Sequence, residues 1–140
     1  MTPKRVFVDA AFLIALAVES DQWHRVAIAW QRKAEHGRFA LLTTWAVLLE
    51  VGNSLAKLQF REAGAQLIES VLADPSFTVL PLSEPFLRGG FDLFSRRDDK
   101  EWGLTDCLSF VAMDQHGIRE ALTSDEHFQQ AGYRALLRES

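Results

Sequence analysis

Apolar positions along this chain alternate between short unbroken runs and longer stretches at helical spacing. Val6-Phe7-Val8, between Arg5 and Asp9, is an unbroken apolar run with two β-branched residues and predicts a buried strand. Similar runs at Phe39 to Thr43, Phe77 to Leu82, Ala121 to Thr123 and Tyr133 to Leu137 predict four more strands. Between them lie helical patterns. Ala10 to Val18 is a short apolar helix, and Asp21 is placed to cap the next one, which carries Trp23, Val26, Ala27 and Trp30 and stops at Gly37. Thr44 caps a helix running to about Leu58, and Phe60 to Ala73 forms another, ended by Asp74-Pro75. Ser83 opens a helix through Phe94 that Gly89-Gly90 should weaken, and the charged stretch Ser95 to Glu101 reads as a loop. Leu104 to Gln115, closed by Gly117, is apolar on nearly every face, and Asp125 to Gln130 is a short helix. Strands alternating with helices predict an α/β sandwich with a largely parallel sheet. With no repeat, linker or low-complexity tract, residues 1–140 are expected to form a single domain.

Composition adds exclusions. At 48% hydrophobic and 24% charged, the chain is of ordinary globular make-up. One cysteine rules out an internal disulfide framework and fits a reducing compartment. The formal charge of −4, from 15 basic and 19 acidic residues, counts against a protein that coats nucleic acid through a general basic field. It leaves room for an acidic cleft flanked by local basic patches. The N-terminus has two early positive charges and an apolar stretch, but Asp9 leaves only Ala10 to Val18 unbroken. That is far short of the roughly 20 residues of a membrane span. A cytoplasmic protein without membrane attachment is expected.

Placement makes four acids conspicuous. Asp9 follows the first strand, Asp106 opens a core helix, and Asp125 follows a late strand in "ALTSDEHF". Functional groups of open α/β sheets gather at the carboxyl ends of the strands. Glu50 interrupts an apolar helical segment, "TTWAVLLEVGN", where a charge is costly without a partner. Read singly, Asp9, Asp106 and Asp125 also have the form of helix caps, and Glu50 that of an ion-pair partner for Lys57 or Arg61. Read together, carboxylates converging on one pocket would repel each other. A hard divalent cation such as Mg²⁺ or Mn²⁺, which prefers oxygen ligands, relieves that repulsion.

"VFVDAAFLIAL", "TTWAVLLEVGN", "WGLTDCLSFVAM" and "ALTSDEHFQQAGY" occur in that order. Together they resemble the PIN-domain nucleases, most closely the toxin subunits of VapBC-type toxin–antitoxin systems. The resemblance covers nearly the whole chain and rests most on "LTDCLSF" and "LTSDEHF". It implies a three-layer α/β/α sandwich and a Mg²⁺- or Mn²⁺-dependent endoribonuclease. It also implies homodimers and, for the toxins, an inhibitory antitoxin partner. Asp9, Glu50, Asp106 and Asp125 match the family's catalytic and metal-binding acidic quartet, and Thr123 matches the hydroxyl residue two before the last acid. Asn53 lies one helical turn beyond Glu50, where it can support the site from behind the acids. The chain departs from the pattern at Ala11, where relatives commonly carry a small polar residue. That departure keeps open an alternative, a catalytically weak or inactive PIN-fold module that binds RNA or an antitoxin.

Other chemistry is weaker. His24, His36, His116 and His127 lack HExxH or paired Cys–His spacing, so no zinc site is expected, and Cys107 reads as a buried apolar residue. "RGGF" at 88–91 is a helix defect or bend rather than a phosphate loop. Arg96, Arg97 and Lys100 are candidates to face RNA phosphates near Asp106. A phospho-receiver domain would need paired acids after the first strand and a late lysine, and neither is present. Four Trp and ten Phe exceed what one small core easily hides, which favours a homodimer contact through the helical layer.

Overall fold

The computed structural model describes residues 2–139. Five strands, β1 (Arg5–Val8), β2 (Ala40–Thr44), β3 (Phe77–Leu80), β4 (Glu120–Leu122) and β5 (Arg134–Ala135), form one sheet in the order β3-β2-β1-β4-β5. Every neighbouring pair is parallel, with Phe7 opposite Leu42 on one side and Ala121 on the other. The helices are α1 (Ala10–Ala17), α2 (His24–His36), α3 (Trp45–Ser54), α4 (Leu58–Ala73), α5 (Glu84–Arg96), α6 (Leu104–Gln115) and α7 (Glu126–Gln130). α1 packs on α2, α3 and α4, while α5 packs on α6 and α6 on α7. The result is the three-layer α/β/α sandwich expected from the motifs. Val6, Phe7 and Val8 are fully buried, as a central parallel strand covered on both faces requires.

Because all strands run the same way, their carboxyl ends share one edge, and α1, α3 and α7 start there directly from β1, β2 and the residues after β4. Thr44 caps α3 as anticipated, its hydroxyl accepting from the Val47 amide at 3.2 Å. Behind that edge, Phe128 stacks edge-on to Phe110 at 5.0 Å and contacts Phe7 at 6.3 Å, while Trp102 and Tyr133 flank Phe110. This aromatic group binds α7 to α6 and β1. A helix of five residues has no stability of its own, so α7 depends on the buried Phe128 ring.

Four local expectations are corrected. β3 stops at Leu80, before Pro81, which has no amide to donate to the ladder. α3 ends at Ser54 because Leu55 turns inward and is buried against Gly64 of α4. β5 is two residues long and yields to a 3₁₀ turn, Leu136–Glu139. That turn buries both Leu136 and Leu137. Finally, α5 runs unbroken through Gly89-Gly90. A Cβ on Gly90 would lie 2.4 Å from Leu108 Cδ2, so this glycine lets α5 and α6 approach closely.

Candidate active site

β1 delivers Asp9 to the carboxyl edge. Thr43 of β2 donates from Oγ1 to the Val8 carbonyl at 2.8 Å, and the Asp9 amide donates to Leu122 O at 3.2 Å, fixing the backbone on both sides. Asp9 occupies the N-cap position of α1 but makes no side-chain capping bond. Its Oδ2 instead accepts from the Thr123 hydroxyl at 2.7 Å. Thr123 is fully buried, and its Oγ1 also accepts from the Asp125 amide at 3.0 Å. One hydroxyl therefore ties the first acid to the backbone of the last. The simple cap reading of Asp9 is incompatible with this orientation.

Asp106 and Asp125 cap helices and also both approach His127. Asp125 caps α7, with Oδ1 accepting from the His127 amide at 2.8 Å. Asp106 Oδ2 reaches back to the Gly103 amide at 3.2 Å, at the start of α6, and pairs with His127 Nδ1 at 3.0 Å. His127 Nδ1 is also 3.5 Å from Asp125 Oδ1. Donor atoms of Asp106, Asp125 and His127 all lie within 4.8 Å of one another, a spacing that suits one cation. Glu50 is solvent-exposed on α3 and, with Asn53, lines an open groove whose other wall includes Leu104, Thr105 and Leu108 of α6.

Electrostatics join the acids into one cluster. Burial pushes the Asp9 carboxyl up to about 7; the Thr123 hydrogen bond opposes that rise, and the charges of Asp106 and Glu50 add to it. Although Glu50 is open to solvent, partial shielding of its carboxyl raises it first, and the charges of Asp106 and Asp125 add to that. Asp106 is raised first by burial and then by Asp125, against the bond from His127. For His127, burial disfavours the cation, but the bond to Asp106 and the charges of Asp125, Asp106 and Glu126 prevail and raise it. The four sequence-identified acids are thus coupled electrostatically, and the His127 imidazole bonds to Asp106 among them. Carboxylate oxygens are the hard donors that could hold a divalent cation.

His127 was the residue missed. Its signal in the sequence is slight, a histidine two positions after Asp125 on the first turn of a short helix. The basic candidates fare less well. Arg97 is bound by Asp99 through Nε at 2.9 Å and Nη2 at 3.2 Å, and its guanidinium lies 4.7 Å from the Trp102 ring centre. Arg96 is exposed at the last turn of α5, and Lys100 sits in the following loop, its amide bonded to Arg97 O. Cys107 is fully buried, with its thiol pushed up by burial and by Asp106, so it is no nucleophile.

In a parallel α/β/α sandwich, functional groups gather in the crevice at the carboxyl edge of the strands, where these acids stand. The PIN domain family model matches residues 6–132, and the chain belongs to that family. Among solved structures it is similar to VapC20 of Mycobacterium tuberculosis, described as a Sarcin-Ricin loop cleaving toxin. The TM-score is 0.81 at 22% identity, over 93% of this chain and 97% of that one. It is also similar to FitAcB from Neisseria gonorrhoeae, with a TM-score of 0.62 at 18% identity over 91% and 92% of the two chains. No curated protein matches the sequence.

Proposed function

We propose that the chain is a single PIN domain acting as a divalent-metal-dependent endoribonuclease, the toxin of a type II toxin–antitoxin pair, working in the cytoplasm. The observation that carries this reading is the convergence of Asp9, Glu50, Asp106 and Asp125 at one sheet edge, with Asp9 buried and oriented by Thr123. Asp9, Glu50, Asp106 and Asp125 are the residues that would hold Mg²⁺ or Mn²⁺. A divalent ion held there would supply Lewis acidity to a water and to the phosphate oxygens. The chain's own groups hold that arrangement. Thr123 aims Asp9, the Gly103 amide and His127 aim Asp106, and the His127 amide aims Asp125. Asn53 lines the Glu50 groove, where single-stranded RNA would lie.

Two surfaces support the proposed partners. A cavity of about 210 Å³ is walled by Phe12, Leu16, Phe39, Leu67 and Phe77, with Glu35 and Asp74 among its polar lining. An antitoxin segment with apolar side chains and a basic residue would fill it. On α5, Leu87, Phe91 and Phe94 are exposed at helical spacing, and on neighbouring α6 Leu104 is exposed too, a face suited to a homodimer. Among the described residues no helix is long and apolar enough to cross a membrane.

The test is cleavage of labelled single-stranded RNA across a titration of Mg²⁺ and Mn²⁺, for wild type and Glu50→Gln. Activity that depends on metal and is lost in the variant is expected. Undiminished cleavage in EDTA would overturn the mechanism. RNA or antitoxin binding without cleavage at any metal concentration would establish the inactive-module alternative that Ala11 keeps open.

A further inference from the structure

The acidic cleft leaves a charged face of the molecule unused. Arg25, Val26, Ala29, Trp30 and Lys33 of α2 line a shallow groove with Glu139 from the C-terminal 3₁₀ turn. Arg25, Ala29 and Lys33 are spaced four apart, so they form one stripe along the helix, about 12 Å from end to end at 1.5 Å per residue. Both cations are exposed. Glu139, the acid in the groove, is engaged by Arg134 at 2.6 Å, so its charge is offset locally. The Lys33 ammonium lies 4.5 Å from the Trp30 ring centre. Next to the groove, the Arg138 guanidinium lies 5.6 Å from the Trp23 ring centre. Indole faces that carry cations hold them in place and reduce the ordering needed when an anion binds.

Arg138 also connects this stripe to the acids. Its Nη1 donates to Ser124 O at 3.1 Å, one residue before Asp125, and its Nη2 is 3.9 Å from Glu126. Arg138 thus stands between Ser124, which precedes Asp125, and Trp23, while its chain neighbour Glu139 lines the groove with Arg25, Trp30 and Lys33. Around an acidic cleft that repels a polyanion, a basic track leading away from it is what a bound strand needs. Arg97, by contrast, is engaged by Asp99.

We propose that Arg138, Arg25 and Lys33 form an RNA-backbone track that seats the strand extending from the cleft. This rests on the nuclease reading for the strand's other end. The occupant is RNA rather than a protein segment, because cations are spaced along a line while the apolar lining is limited to Val26, Ala29 and Trp30. The track makes affinity depend on strand length and on salt.

The experiment uses full-length protein carrying Asp9→Asn, so that binding is read without cleavage, with fluorescence anisotropy of labelled single-stranded RNAs about 4 and about 12 nucleotides long. Adding Arg25→Gln and Lys33→Gln removes two exposed charges and is expected to leave the thermal melt unchanged. Affinity should rise with length in the parent, and the double charge variant should lose about tenfold for the longer RNA. The slope of log affinity against log salt should fall by about 1.4, two contacts at about 0.7 each for a single strand. Equal affinity and equal salt slope in parent and variant would overturn the track, including the case where this face serves a protein partner. A protein that never cleaves RNA yet shows the length and salt effects would retain the track while sinking the nuclease reading.

Discussion

Asp9→Asn offers the sharpest perturbation, because it separates stability from activity with opposite signs. The wild-type carboxyl is buried and raised from its ordinary 3.8 to about 7, chiefly by burial and further by Asp106 and Glu50. The folded state therefore binds this proton more tightly than the unfolded chain does. Stability conferred by the protonated group is present at pH 4 and is lost as pH rises through 7, since the slope of unfolding free energy with pH is negative wherever the native state holds more protons. The interval is about three pH units, each about 1.36 kcal/mol, so the ionised group costs about 4 kcal/mol at pH 8 in metal-free protein. Asparagine carries no charge at any pH and still offers Oδ1 to the Thr123 hydroxyl. In EDTA at pH 8 the variant should be more stable by up to about 4 kcal/mol, a rise in Tm of about 10 °C for a domain of this size. The gap should close towards pH 4. Adding Mn²⁺ at about 100 times its Kd should return about 2.7 kcal/mol to the wild type and far less to the variant, while RNA cleavage is lost. Melts in EDTA and in Mn²⁺ at pH 4, 6 and 8, with activity on the same samples, measure all of this. A variant no more stable than wild type at pH 8, with a gap indifferent to pH, would refute the account of Asp9 as a buried, repelled carboxylate.

Three other outcomes are expected. Asp106→Asn keeps an acceptor for the Gly103 amide but removes a charge from the cluster, so the metal-free protein should melt no earlier than wild type while turnover falls by more than about 100-fold. A variant that melts earlier and cuts RNA normally would make Asp106 a cap alone. His127→Gln should weaken metal affinity about 10–100-fold by releasing Asp106, read by isothermal titration with Mn²⁺; unchanged affinity would remove His127 from the site. Phe91→Glu on the exposed face of α5 should turn a dimer into a monomer in light scattering, and an already monomeric wild type would refute the dimer.

The sequence carried the sheet, and it put Asp9 and Asp125 just after strands, because both depend on local pattern. Val6-Phe7-Val8 is buried on both faces as its unbroken run required, and in a parallel sheet the residue after such a strand falls on the functional edge. Thr44 announced its cap for the same reason. What escaped depends on contacts between distant residues. The bond of Thr43 to Val8 spans 35 positions and that of His127 to Asp106 spans 21, so no local rule marks either side chain. Gly90 looked like a helix weakness because its value lies in Leu108 of another helix. Arg97 looked available because its partner Asp99 lies in the same charged run, which read as plain loop.

The absence of a polar side chain at position 11 acquires a definite meaning from the hydrogen bonds. Two chains of contacts hold three of the four acids: Asp9 to Thr123 to the Asp125 amide, and the Gly103 amide to Asp106 to His127, whose own amide binds Asp125. Both pass through residues 123–127, and that short segment is pinned to the core by Phe128. Thr123 orients the Asp9 carboxylate from β4's end, fully buried and at 2.7 Å. Orientation of Asp9 therefore does not require what Ala11 lacks. Truncating Phe128 should disturb the site more than restoring a serine at position 11 improves it. Losing a buried phenylalanine costs roughly 3–5 kcal/mol and frees α7, and with α7 go the cap of Asp125 and the imidazole on Asp106.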